Sequence, residues 1–195
     1  MYNIYMNVYI LVLFVCLTAN IAKANTNSTC ICTTVPCPHE NVNTVIMGNG
    51  YATIEYIYHM HETYEVVVSA SGIVEKGALD HGTETTSCTQ KYSRTLEDDG
   101  KQNCDAGHIL ANRLGGYGNI PVNIFPQNAS MNRGSYAQYE GLIYNCIEMG
   151  KGTASLSWEF LYETNTNTMP YGVIYKAVYD EQDYCNDTEE YFQNV

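Results

Sequence analysis

The chain has 195 residues, 45% of them hydrophobic, with eight cysteines, eighteen tyrosines and a formal net charge of −12 at pH 7. That length supports one sizeable core and requires no second domain. So acidic a balance argues against a protein that holds nucleic acid by general electrostatic attraction, because the body of the molecule repels a polyanion.

Residues 1–24 contain the apolar run YILVLFVCL (9–17) and end in Ala22-Lys23-Ala24, a small-x-small cleavage pattern. The run is shorter than the roughly twenty residues of a spanning helix. A secretory signal peptide is therefore predicted, although its first residues lack Lys and Arg, and with it a secreted protein. Removal of Lys23 takes the charge to −13 and leaves Cys30, Cys32, Cys37, Cys88, Cys104, Cys146 and Cys185. In an oxidising compartment these predict disulfides, with one thiol left over and the pairing open. The Cys30, Cys32, Cys37 cluster can also be read as a zinc site, but its spacing is poor and a secreted setting favours bridges. Residues 25–50, rich in Asn, Thr, Cys and Pro, read as an irregular arm tethered by bridges. Asn27, Asn128 and Asn186 head glycosylation sequons.

A single domain is predicted over 51–180, with an acidic tail at 181–195. Its first element is a hairpin over 51–74, two strand-like runs separated by His61-Glu62-Thr63. His59 and His61 share a strand face, a metal pair or, better, a solvated face, since no third ligand is recognisable nearby. Residues 75–103 are polar and read as a long connection, in which Asp98 and Asp99 are either cation ligands or a solvated turn. The stretch 104–140 then concentrates functional side chains: Asp105, Gly107 and His108 on a short extended run, a glycine-rich turn at 114–118, and a second extended run at 122–125. A helix begins between Asn128 and Met131, carries Asn132 and Glu140, and stops at Gly150. Leu142, Ile143, Cys146 and Ile147 supply its buried stripe. Two closing strands follow at 154–162 and 173–179. Trp158 and most tyrosines read as core and strand residues, no RNA-binding signature being present.

The chemistry these residues offer is phosphodiester cleavage, which needs a base for water, a cation against the developing charge, and donors that hold the phosphate. His108, with an ordinary pKa of about 6.5, can be a neutral acceptor near pH 7. Asn132 presents a neutral oxygen suited to a hard cation such as Mg2+, which keeps most of its waters. Eight residues of ideal helix are about 800°, or roughly 80° round the axis, so Glu140 can face the same metal site as Asn132.

Read together, DAGH (105–108), NIFPQ (123–127), MNRG (131–134) and the helical YE (139–140) resemble the DNA/RNA non-specific endonucleases of the ββα-metal (His-Me finger) superfamily. The departure is Ala106, where many members carry Arg, but the branch with a Gly-Gly turn after the His often lacks it, and Leu114-Gly115-Gly116 is such a turn. The resemblance implies an α+β fold: an antiparallel sheet with a strand-turn-strand-helix motif over 104–149, stabilised by disulfides. It implies a Mg2+-dependent endonuclease, with Mn2+ as a possible substitute, acting on DNA and/or RNA. His108 is then the general base and Asn132 the metal ligand, while Glu140 orients the water that protonates the departing O3′. Asp105 positions the strand or a water, and Arg133 and Arg113 are phosphate clamps. Asn123 and Gln127 read equally as substrate contacts and as strand and turn hydrogen-bonders. Five basic residues (Lys91, Arg94, Lys101, Arg113, Arg133) fall between 91 and 133 and suggest a basic lip on an acidic body. The alternative is a nucleic-acid-binding protein whose chemistry has decayed; intact His108, Asn132 and Glu140 favour the enzyme.

Overall fold

The structure, a computed structural model, describes residues 42–62, 64–96, 104–150, 152–180 and 185–195. The leader, the three-cysteine cluster, the Asn27 sequon, Lys101 and the Asp98-Asp99 pair lie outside the described residues. A six-stranded, fully antiparallel sheet organises the chain in the order β1-β2-β3-β6-β7-β8. Its strands are β1 (Val42–Met47), β2 (Ala52–His61), β3 (Tyr64–Glu75), β6 (Thr153–Leu161), β7 (Gly172–Tyr179) and β8 (Thr188–Gln193). The chain leaves this sheet after β3 and returns at β6. The excursion contains helix α1 (Ser87–Thr95), a two-stranded hairpin of β4 (Asp105–His108) and β5 (Ile124–Gln127), and a long helical run at 129–149, here α2.

Period-two burial explains the sheet. In β6 the even positions Ala154, Leu156, Trp158 and Phe160 are buried, while Ser155 and Glu159 are exposed. β7 alternates likewise, and the two inner faces meet Tyr136, Tyr139, Ile143 and Ile147 of α2 in one core. Aromatic rings fill the layer between helix and sheet, with Trp158 against Tyr175 at 4.6 Å between centroids and Tyr139 edge-on to Tyr175 at 5.1 Å. Five of the fourteen described tyrosines, Tyr56, Tyr136, Tyr139, Tyr175 and Tyr179, are buried in this core. A bulge after Ile57 shifts the parity of β2, so buried positions change from Ala52, Ile54 and Tyr56 to His61. His61 donates from Nδ1 to the Asn167 carbonyl at 2.5 Å and stacks edge-on to Tyr162, whereas His59 is exposed, so the two form no metal pair.

Several elements depart from the sequence expectation. Val42–Met47, assigned to the irregular arm, is strand β1, paired along its length with β2. The acidic tail closes the sheet as β8, burying Phe192 and Asn194. The polar connection at 75–103 contains α1, opened by a capping box in which Thr86 and Thr89 each bond the other's backbone N–H. A Thr at the third helical position replaces the usual Glu or Gln, which is why the pattern escapes a sequence reading. Leu142 is 61% exposed, so the buried stripe of α2 runs instead through Tyr136, Tyr139, Glu140, Ile143 and Ile147. Cys146, half-buried, is bridged to Cys185, which fastens the end of α2 to the segment before β8; Cys88 is also in a disulfide. Among the described residues no helix is long and apolar enough to cross a membrane.

Candidate active site

The hairpin and the start of α2 form one unit. β4 and β5 pair in antiparallel register from Asp105 opposite Gln127 to His108 opposite Ile124. β5 begins two residues later than expected, because Pro121–Asn123 forms a tight helical turn that the proline ring favours at its first position. Asn128 then caps the helix, its side-chain oxygen accepting from the N–H groups of Ser130 at 2.9 Å and Met131 at 3.1 Å. Its amide nitrogen, the atom a glycan would occupy, donates to the Val195 carbonyl at 2.7 Å.

Within this unit Asp105, Ala106, His108 and Asn132 line a cleft of about 330 Å³, together with Glu84, Thr85, Gln90, Arg94 and Cys104. His108 donates from Nε2 to the Thr83 carbonyl at 3.0 Å, since a carbonyl can only accept, and Nδ1 is left as the ring's acceptor. Gly118 permits this geometry: a Cβ there would meet His108 Nε2 at 2.5 Å and the backbone of residues 84 and 85. Burial lowers the His108 pKa below its ordinary 6.5; the Thr83 carbonyl and the Glu84 carboxylate pull the other way and do not win.

Asp105 is held from two sides. Arg133 donates to both of its oxygens, at 2.9 and 2.6 Å, and Asn132 Nδ2 donates to Oδ2 at 2.9 Å. Burial alone would raise the Asp105 carboxyl, but the hydrogen bonds from Arg133 and Asn132 hold it below the ordinary carboxylate range. The bond to Asp105 also fixes the Asn132 amide, leaving Oδ1 free to face a cation.

Glu140 has the opposite surroundings. It is 9% exposed and is not among the side chains lining the cleft; burial pushes its carboxyl up to about 8, against the pull of Arg113. The ideal-helix angle between Asn132 and Glu140 does not hold, because Asn132–Tyr136 is a wide π turn with Gly134 at φ −110°, ψ −110°.

Residues 49–177 match the family model for DNA/RNA non-specific endonucleases. The chain belongs to this family. A probable deoxyribonuclease, RhsA of Dickeya dadantii strain 3937, is 36% identical over 116 residues, which are 60% of this chain and 8% of the relative's length. Among solved structures, the fold is shared with NucA of Streptococcus agalactiae, determined with magnesium bound (TM-score 0.52, 14% identity, 80% of this chain and 85% of that one). It is shared also with the Sda1 nuclease with bound zinc (TM-score 0.54, 14% identity, 73% and 76%). A further fold match is EndoG in complex with EndoGI (TM-score 0.52, 12% identity, 84% and 82%).

Against this endonuclease family, the structure brings Asp105, His108 and Asn132 together in the cleft and sets Arg133 on its rim, 73% exposed. Arg113 is exposed but stands outside the cleft lining, its guanidinium 4.3 Å over the Tyr144 ring. Asn123 is not a substrate contact. Fully buried, its Oδ1 accepts from Tyr56 Oη and Leu110 N at 2.8 Å each, and its Nδ2 donates to the Leu110 and Tyr117 carbonyls, so all four bonding positions are spent on joining sheet, turn and hairpin. Gln127 is fully buried too, packed where a side chain on Gly107 would stand, and is not among the residues lining this cleft. Sequence reasoning misses Glu84, Thr85 and Gln90 and places Arg94 only in the basic lip; all four stand on α1 or just before it and line the cleft. The local signal for that helix is the capping box of Thr86 and Thr89, which its Thr in place of Glu or Gln disguises.

The donor set fits a hard divalent cation. Asn132 Oδ1 is a neutral oxygen on an amide that Asp105 orients, the kind of donor such a cation takes alongside its waters.

Proposed function

We propose that the chain is a secreted, metal-dependent endonuclease that hydrolyses the phosphodiester bonds of DNA and/or RNA without sequence preference, using Mg2+ with Mn2+ as a substitute. The observation that carries this reading is the His108 to Thr83 hydrogen bond, which fixes the tautomer and leaves a neutral acceptor, Nδ1, in the cleft that Asn132 also lines. His108 takes a proton from the attacking water at Nδ1; the water oxygen bonds to phosphorus and the P–O3′ bond breaks. A divalent cation held by Asn132 Oδ1 would offset the negative charge that develops on the phosphate and leaving oxygens. Asp105 keeps Asn132 oriented and is itself kept ionised by Arg133. Two groups with pKa values pushed apart, His108 downward and Glu140 up to about 8, give a neutral base and a protonated acid at the same near-neutral pH, the pattern expected of an acid and base pair. The departing O3′ takes its proton from a water that Glu140, behind the cleft lining, orients, and in this way Glu140 serves the acid side of the reaction.

Because the base works only when neutral, activity falls on the acid side with an apparent pKa below 6.5. His108→Ala costs about 10²- to 10⁴-fold in rate with the fold kept. Plasmid nicking at several pH values, with Mg2+ or with chelator and checked by circular dichroism, tests both statements. A decayed binding protein on this scaffold forecasts equal, chelator-insensitive rates for wild type and variant, and that result sinks the enzyme reading. Export rests on the run at 9–17 and the Ala22-Lys23-Ala24 pattern. N-terminal sequencing of protein from the medium is expected to begin at Asn25; a product beginning at Met1 refutes it.

A further inference from the structure

Cleavage of a polyanion by so acidic a chain requires a place where the nucleic-acid backbone is held, and the two arginines expected to hold it are committed elsewhere. Arg133 is paired with both oxygens of Asp105, and Arg113 lies over Tyr144 outside the cleft. Ala106 lines the cleft and brings no charge. Among the described residues lining the cleft, Arg94 alone carries a fixed positive charge, and no carboxylate among the described residues lies within salt-bridge reach of it.

Arg94 stands on a helix built as a fixed wall. α1 packs on β4 and β5. Its inward residues, Thr89 and Ser93, are buried polar side chains one turn apart, and Thr89 Oγ1 donates to the Gly118 carbonyl at 2.7 Å. Gly118 belongs to the loop that receives His108, so α1 is tied directly to the catalytic histidine's support. The far end of α1 is secured where Thr168 Oγ1 donates to the Leu96 carbonyl, and Cys88 adds a disulfide. One step round the helix from Thr89 and Ser93 lie Gln90 and Arg94, also one turn apart, both exposed and both lining the cleft. Gln90 is oriented by its bond to Thr85 Oγ1 at 3.2 Å. A helix anchored through Thr89 and showing an amide and a guanidinium to the site suits a backbone of phosphates, which guanidinium groups bind in a forked, two-bond geometry.

We propose that α1 is the wall against which the substrate's sugar-phosphate backbone lies, with Arg94 clamping a phosphate that adjoins the scissile one and Gln90 donating to the same backbone. This rests on the nuclease reading and adds to it the binding surface that the acidic composition conceals.

The test measures the Kd of a fluorescent DNA duplex of about 20 base pairs across a series of salt concentrations in Mg2+, in a His108→Ala background. Arg94→Ala on that background is expected to weaken binding about 5- to 10-fold and to reduce the slope of log K against log salt by about one phosphate contact. Arg94→Lys restores the slope but only part of the affinity, because a point charge replaces the fork. Lys176→Ala, on the exposed face of β7, leaves both unchanged. A cation in the last turn of α1 also favours the helix dipole, so thermal melting is recorded beside binding. If Arg94→Ala lowers Tm but leaves Kd and salt slope unchanged, the residue is structural and the wall is overturned. If the wild type fails to nick plasmid, it is the nuclease reading that falls, whatever the slopes show.

Discussion

Two carboxylates in one strand-turn-strand-helix unit occupy opposite environments. The corner of the site, Asp105 with Asn132 and Arg133, is polar, open to solvent and joined by hydrogen bonds to both Asp105 oxygens. Behind it, Glu140 is buried among aromatic side chains: burial and then the Glu140 carboxylate push the Tyr136 hydroxyl well above its ordinary value, and the Tyr175 hydroxyl is buried with no hydrogen-bond partner among the described residues. The corner holds an ionised carboxylate at any pH near neutrality, whereas the interior holds a carboxylic acid that loses its proton only near pH 8. Partners, more than sequence proximity, decide which carboxyl is charged. The division suits a site that needs one fixed charge to orient a cation's ligand and one group able to carry a proton.

The largest break in this comparison is expected at Asn132. If the polar corner exists to present its Oδ1 to a cation, Asn132→Ala lowers kcat by at least about 10²-fold, since a Lewis-acidic cation is worth several kcal/mol. Asp105 keeps its two bonds to Arg133, so the fold survives, and circular dichroism with Mg2+-titrated kinetics separates the effects. Unchanged activity at limiting Mg2+ would remove Asn132 from the site.

A smaller effect sharpens the buried side. The Glu140 carboxyl has a folded pKa of about 8, above its unfolded value near 4.5, so between those limits the folded state holds a proton that unfolding releases. Stability of the metal-free protein therefore falls as pH rises through this window, by up to about 1.4 kcal/mol per pH unit from this group. Glu140→Gln, which cannot ionise, flattens that contribution. Urea unfolding of both proteins at pH 5, 6.5 and 8 in chelator reads the difference; parallel pH dependences would mean that Glu140 is solvated and charged.

Residues with a local signature were legible without coordinates. The hairpin over 51–74 and the strands at 154–162 and 173–179 alternate with period two, and the α2 helix is bracketed by Asn128 and Gly150, both of which cap it. Asp105, His108, Asn132 and Glu140 stood out because no packing need explains those residue types at that spacing, and the cleft gathers three of the four. Elements without an intrinsic signal were not legible. β1 and β8 are edge strands with mixed, partly polar sequences, and each becomes a strand through the ladder its neighbour offers. α1 is short and polar, and holds its place by bonds to Gly118 and Thr168 that lie far away in the chain.

The sequence by itself determined the family, the order of the hairpin and helix, and the side chains available for chemistry, because motif spacing, caps and strand periodicity are local properties of the chain. Tertiary structure alone decided the state of those side chains. Burial against the loop at Gly118 sets His108 below its ordinary pKa, a π turn kinked at Gly134 breaks the ideal-helix relation between Asn132 and Glu140 while the core takes the Glu140 carboxyl out of water, and the Asp105 bonds commit Arg133. Each of these is a desolvation or a pairing across residues distant in sequence, and the energy of such terms depends on a neighbour's position, which residue types and their spacing do not contain.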